Sequence, residues 1–398
     1  MSVYAGAARR IITPDWSHKP TYLAGFQENR PATGLHDDLE ARALAIRVEA
    51  NLFILVVCDL IGLLHTDIQR IRTAVRAHGV DAHGLVVACT HTHSGPDTLG
   101  LWGRSRLTSG RNPAYQTWLI EQTAQAVVEA VAVLKPATLR VGRADMPHWL
   151  RNARQPAVVD RELEVLQAVD HSGETLFTLL NMACHPEVMF GDNTLISADF
   201  AGAARQAVEA QTGGIAIWAA ADLGGMMTPD VGEHGRTFAT VAQMGRDVAA
   251  IALEALRAGE PLAPKQLRFT RRNVRIPLDN PLFKLARFLG TLPAMPLDAG
   301  RQICTQVALL DLGRLRLITV PGELLPTAGM RLRTMLNTPY RFLIGLADDE
   351  LGYIIPSDEF VYPRNPFRPG MHYEESMSVS RYALPLLSEA WMAMLEED

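Results

Sequence analysis

The runs LFILVVC at Leu52–Cys58 and LVVAC at Leu85–Cys89 place apolar side chains at consecutive positions, and TLFTLLNMA at Thr175–Ala183 nearly does so. Successive side chains on a strand face opposite sides of the sheet, so these segments have no face to offer water. They must be covered on both sides. That requirement restricts the fold to layered packing, α/β or α+β, with central strands fully buried.

Further strands are expected at Ala41–Val48, Leu139–Val141, Leu163–Ala168, Gln266–Ile276, Gln306–Leu310, Leu315–Val320 and Phe342–Leu346. Helical patterns run over Thr66–Ala77, Ala114–Leu134, Phe200–Gln211, Arg236–Arg257, Pro326–Leu336 and about Ser380–Leu395. The first opens on Thr66, Asp67, Ile68, Gln69, the form of a capping box, and Gly79 and Gly213 stand where helices stop. The apolar, proline-flanked stretch Pro281–Pro296 reads as a core-packing connection, with the wall or lid of a substrate pocket as its alternative.

With 48% hydrophobic and 20% charged residues in 398, the chain has ample material for a large core, and no linker or repeat divides it. One domain over residues 1–398 is expected. A net charge of −5 with scattered Lys and Arg offers no basic stripe for nucleic acid. The opening lacks the charged start and apolar core of a leader, and the longest apolar run, Leu52–Leu64, is interrupted by Asp59, so no transmembrane segment is expected. Cys58, Cys89, Cys184 and Cys304 are far apart and form no CxxC pair, which points to neither disulfides nor a thiolate zinc knot and fits a cytoplasmic protein.

The chemistry concentrates at strand ends. In VVACTHTHSGP, Val86–Pro96, an apolar strand runs into His91 and His93, two imidazoles on the same side of extended chain, and breaks at Ser94, Gly95, Pro96. Such a pair can supply two metal ligands, or one ligand and one substrate contact, or be two turn histidines. Thr175–Ala183 ends in Cys184 and His185, which point to opposite faces, so His185 is the candidate ligand there. Leu315–Val320 delivers Glu323 just before a helix, as a helix-start charge or a ligand. Phe342–Leu346 leads to Tyr353, a residue that at such a position ordinarily packs. Repetition carries the argument: several apolar strands each end in a potential ligand. Two histidines, one carboxylate and an open position make the donor set of catalytic rather than structural zinc.

In this order along the chain, AGAARRIITP, GLHDDLEARAL, VVCD, THTHSGP, NMACHP, ISADFAG, DLGGMMTP, VPGELLPTAGMRLR, GLADDELGYIIPSDEF and HYEES resemble the catalytic domain of the neutral, non-lysosomal ceramidases and their bacterial relatives. The resemblance implies an α/β fold of mixed sheets covered by helices. It implies Zn2+ on His91, His185, Glu323 and Tyr353, with His93 and Tyr373 facing the scissile carbonyl and Arg154, or less so Arg151, completing the substrate shell. The implied activity is hydrolysis of N-acyl sphingosine to fatty acid and base. This chain departs from the pattern in that Asp97 follows Pro96 where the family has glycine and GLADD replaces GLAN, and it is expected to lack the additional carboxyl-terminal β-sandwich. The expectation is therefore a zinc-dependent hydrolase of a small-molecule or lipid amide. Small polar amides, esters or lactones on the same site are the alternative substrates, and a non-catalytic metal-binding relative is the alternative class. An amidohydrolase barrel would place HxH near its first strand, and a two-metal phosphoesterase would need more aspartates and an asparagine.

Overall fold

Side chains of the Asn51–Cys58 strand divide by parity. Ile54, Val56 and Cys58 enter one hydrophobic layer, while Phe53, Leu55 and Val57 enter another. The computed structural model, which describes residues 2–288, 297–298, 300–365, 368 and 370–397, thus accounts for a run with no polar alternation: both faces of its sheet are covered.

That sheet has nine strands. Its order is Ile215–Ala220, Thr175–Met182, Glu162–Asp170, Lys135–Asp145, Val3–Ile11, Glu40–Val48, Asn51–Cys58 and Leu85–Cys89, with Glu260–Leu262 added beside Lys135–Asp145. Pairing is antiparallel through the middle and parallel in the outermost pair at each edge. One face packs on helices: Ile68, Ile71 and Val75 of His65–Ala77, Leu119 of Pro113–Ala132, Phe200 of Asp199–Thr212 and Val248 of Phe238–Ala258 share the layer of Ile54 and Val56. The other face packs on a four-stranded sheet, Arg268–Pro277, Gln302–Asp311, Leu315–Thr319 and Tyr340–Ile344, whose Leu310, Leu317, Phe342 and Ile344 meet Phe53, Leu55 and Val57. The fold is α/β, mixed sheets with helical cover, and not the eightfold strand-helix repeat of an amidohydrolase barrel.

A four-residue segment links the edges of the large sheet. Gly345 N donates to Ala220 O (2.8 Å) at one edge, while Cys89 N donates to Leu346 O (3.2 Å) and Asp348 N to Val87 O (2.8 Å) at the other. Buried Asn181 adds to the seam, its amide donating to Ala219 O (3.0 Å) and Leu343 O (2.9 Å) and its oxygen accepting from Leu343 N (3.1 Å). The carboxyl ends of Thr175–Met182 and Leu85–Cys89, far apart in sheet order, are thereby brought to one place.

The long strands and helices lie where the periodicities put them, and three details differ. Val3–Ile11 is a strand of the large sheet, although its mixture of small residues and arginines gave no apolar run. The capping box at Thr66 does not form. The helix starts at His65 with Leu64 as N-cap and no side-chain cap, because the distant Asp349 carboxylate accepts from His65 N (2.9 Å). Pro281–Phe288 is a short helix with no fully buried residue, whose Phe283 both packs against the core and lines the cavity; residues 289–296 of that stretch lie outside the described ones. Among the described residues, no helix is long and apolar enough to cross a membrane.

Candidate active site

His91, at the end of the Leu85–Cys89 strand, adopts φ 68°, a left-handed turn that bends the chain out of the sheet and is held by His91 N donating to Leu60 O (2.9 Å). Its Nδ1 lies 2.5 Å from Ile61 O, and Nδ1 of His185 lies 2.8 Å from Met227 O. A carbonyl only accepts, so in both rings Nδ1 carries the proton and Nε2 presents its lone pair. Both Nε2 atoms face the same carboxylate oxygen, Glu323 Oε2, at 3.1 Å for His185 and 3.6 Å for His91. Three electron-rich atoms pointed at one another repel unless a proton or a cation lies between them.

The titration behaviour carries the same message. Burial alone would lower the His185 imidazole, yet the Glu323 carboxylate, with Glu187 and the Met227 carbonyl, outweighs it and pushes it up to about 9. Burial would raise Glu323, but His91 and His185 hold it well below the usual carboxylate range. A positive charge is called for at their meeting point, and a divalent cation fits these donors. Tyr353 is the strand partner of Glu323 in a short parallel pair, Glu323–Leu324 with Tyr353–Ile354, so the two side chains start from neighbouring backbone. The Tyr353 hydroxyl donates to Met226 Sδ (3.4 Å).

His93 is buried beside them, with ring centroids 4.9 Å from His91 and 5.4 Å from His185. The ligand nitrogens of the three histidines lie within 4.8 Å of one another, so His93 is placed to act as a third ligand as well as a substrate contact. Its Nδ1 is 3.1 Å from Glu187 Oε2, and neither ring nitrogen has a well-aligned hydrogen-bond partner. Burial pushes the imidazole down to about 4 against the opposing pull of Glu187. Phe26 meets the ring edge-on at 4.8 Å.

His91, His93, Glu323, Tyr353 and Tyr373 line one cavity, whose empty volume is about 660 Å³ counting the part open to solvent. Its remaining wall is mainly apolar: Ile61, Leu64, Leu99, Leu101, Trp102, Phe283 and Met377. Tyr373, 40% exposed, stands with its ring 6.3 Å from that of Tyr353. Arg154 is not among the lining residues. Its guanidinium bonds to Glu374 and, at 3.0 Å, to Glu375, the two residues that follow Tyr373. Arg151 is exposed.

Residue types and spacing left three contributors unread. Gly25, at φ 103°, packs directly against the His93 ring. Glu187 stands two residues after His185, the spacing that drew attention to HxH, and that was the available signal. Glu350 belongs to Asp348-Asp349-Glu350, an acidic run that reads as solvated surface although all three side chains are buried.

Residues 18–233, more than half of the chain, match the family described as neutral/alkaline non-lysosomal ceramidase, N-terminal. The chain belongs to that family. Membership places it among hydrolases of amide bonds. The ceramidase fold extends over the whole chain: it is similar to the crystal structure of neutral ceramidase from Pseudomonas aeruginosa, with a TM-score of 0.81 and 18% identity over 100% of this chain and 75% of that one. It is equally similar to a structure described as ceramidase complexed with C2, with a TM-score of 0.81 and 18% identity over 99% of this chain and 75% of that one. No curated protein matches it.

Proposed function

We propose that this ceramidase-family chain is a zinc-dependent hydrolase of linear, lipid-like N-acyl amides, with the metal on His91, His185, Glu323 and Tyr353. The observation that carries the reading is the pair of Nε2 lone pairs turned on one Glu323 oxygen, each ring locked by a carbonyl at Nδ1. Two imidazoles and a carboxylate are the donors of catalytic zinc sites, and carbonyl-fixed tautomers are their usual support. A divalent ion held there supplies Lewis-acid polarisation and lowers the pKa of water to about 7.

The chain's own groups then have separable tasks. His93 and the Tyr373 hydroxyl stand in the cavity as donors for the oxygen on which negative charge develops at the amide. Glu187, beside His93 Nδ1, favours a proton there, so Nε2 donates to that oxygen only once it has itself taken up a proton, which it then passes to the leaving amine. Arg154 acts through Tyr373: by engaging Glu374 and Glu375 it fixes the backbone that carries the phenol. The apolar wall from Ile61 to Met377 excludes water and favours a hydrocarbon body over a small polar amide. We read the described residues as one catalytic unit, since the Gly345–Asp348 segment ties both edges of the large sheet to the small one. Four free cysteines support a reducing cytoplasm as its compartment.

Metal analysis together with turnover of N-acyl sphingoid bases and short N-acyl amino acids tests the reading. His91→Ala and His185→Ala lose bound zinc, whereas His93→Ala keeps zinc and loses turnover. A second reading, with His93 as a third histidine ligand, is favoured by the 4.8 Å clustering of the three rings' nitrogens. Loss of zinc from His93→Ala decides for it, and zinc retained by His91→Ala rules out both ligand sets.

A further inference from the structure

One polar side chain in the cavity wall has no task in the reaction. Glu350 is 6% exposed and lines the cavity with His91, His93 and Tyr373. Its Oε1 accepts from Gly352 N at 3.0 Å, but its Oε2 has no hydrogen-bond partner. The two acids beside it are provided for: Asp348 faces Arg72 at 2.7 Å, and Asp349 accepts from His65 N and Glu350 N, both at 2.9 Å. Glu350 is also held in place, because Gly62 leaves no room between them; a Cβ there would lie 2.8 Å from Glu350 Cγ.

A buried carboxyl oxygen with an unmade hydrogen bond is costly in a folded chain. Glu350 shares the cavity wall with Ile61, Leu64, Leu99, Leu101, Trp102 and Phe283, which offer no donor except the Trp102 N–H. That N–H already donates to Phe26 O at 3.2 Å. No donor among the described residues reaches Glu350 Oε2, which leaves that bond to a ligand or a water.

Resting on the hydrolase reading above, we propose that Glu350 is a specificity subsite that accepts a hydrogen bond from a hydroxyl or ammonium group close to the scissile amide, selecting N-acyl amines that are otherwise apolar. Phe283, on the exposed helix Pro281–Phe288, closes the apolar side of the same cavity, so a substrate presents one donor inward and hydrocarbon elsewhere.

Calorimetric binding of octylamine, octanol and methyl octyl ether tests this on the purified protein before and after chelation of metal, for wild type, Glu350→Gln and Glu350→Leu. In wild type the two donor probes bind about twofold to tenfold more tightly than the ether, the range of a net hydrogen bond to a carboxyl that burial and Glu323 push well above the usual carboxylate range. In Glu350→Leu the three probes bind alike. Glu350→Gln separates the two donors: the carboxamide oxygen still accepts from octanol, while octylamine loses its advantage. If Glu350→Leu does not fold, the glutamine variant decides on the octylamine result alone. Equal binding of all probes to wild type, or a preference that survives in Glu350→Leu, overturns the proposal. Loss of zinc from Glu350→Gln also overturns it, since Glu350 is then a metal ligand. The chelated arm needs neither metal nor turnover, so absence of amide hydrolysis would defeat the hydrolase reading in a way this measurement distinguishes.

Discussion

Gly25 lies directly against the imidazole of His93: a Cβ added at Gly25 would stand 2.4 Å from His93 Cγ and 2.5 Å from Nδ1. The backbone there has φ 103°, a conformation that side-chain-bearing residues rarely adopt. Gly25→Ala therefore displaces His93 while leaving His91, His185 and Glu323 with their own supports. The expected result is a fall in kcat/KM of at least roughly tenfold, consistent with a misplaced oxyanion donor, with zinc content unchanged. Overpacking and the unfavourable φ should lower stability by about 2 kcal/mol. Metal analysis beside urea unfolding separates this from loss of the metal centre, and an unchanged kcat/KM would remove His93 from the reaction.

Asp97 occupies the position where the family has glycine, and its carboxylate organises the loop that builds one cavity wall. It accepts from Leu99 N (3.1 Å), Gly100 N (2.6 Å), Leu101 N (3.3 Å), Trp102 N (2.9 Å) and Gly110 N (3.0 Å). Asp97→Gly leaves those donors to find water and releases Leu99, Leu101 and Trp102 from a fixed wall. KM for a long-chain amide should rise several-fold with kcat less affected, and the exposed 104–109 segment should be cut sooner by protease. A kcat loss without a KM change would mean that the loop serves the chemistry rather than substrate binding.

The strands were legible because their cause is local: LFILVVC and LVVAC are covered on both faces, and no other packing suits them. That His91, His185 and Glu323 each stand where an apolar strand stops was legible for the same reason. Their meeting was expected only from repetition and resemblance, because its physical cause is Gly345–Asp348 hydrogen-bonding to both edges of a nine-stranded sheet, a relation between residues more than a hundred positions apart. Asp348, Asp349 and Glu350 gave no local sign of their burial. An acidic triplet suggests solvent, yet Arg72 and backbone N–H groups from distant segments make burial of the first two affordable.

The most deeply buried ion pair of the large sheet joins Asp59, at the end of VVCD, to Arg205 on the Asp199–Thr212 helix. The contact is bidentate, at 2.6 and 2.7 Å, and both side chains are at most 2% exposed. Arg205→Met leaves the Asp59 carboxylate buried with only Glu40 N (2.9 Å) as a side-chain partner. The expected loss is about 3–5 kcal/mol of unfolding free energy. Adding Asp59→Asn should restore part of it, since the unpaired charge rather than the missing bond carries most of the cost. Chemical denaturation of the two single variants and the double variant measures the coupling, and strict additivity would show that the two residues act independently.

Glu164, in the middle of the Glu162–Asp170 strand, gives the fold a pH dependence whose sign can be worked out. Burial, with like charge from Glu162 and against the pull of Arg341 N, Arg333 and Arg143, pushes its carboxyl up from 4.5 to about 8. A raised carboxyl favours the protonated form in the folded chain. The unfolded chain ionises first, so stability falls as pH rises from about 4.5 to about 8, and the penalty is complete above that. Oε1 accepts from Arg341 N at 3.0 Å, a bond that a glutamine oxygen keeps, while Oε2 has no partner to lose. Glu164→Gln should match wild type near pH 4.5 and exceed it at pH 8 by on the order of 2 kcal/mol. Urea unfolding across that range checks it, and a variant less stable than wild type at pH 8 would mean that Arg333 and Arg143 hold Glu164 ionised in the folded state.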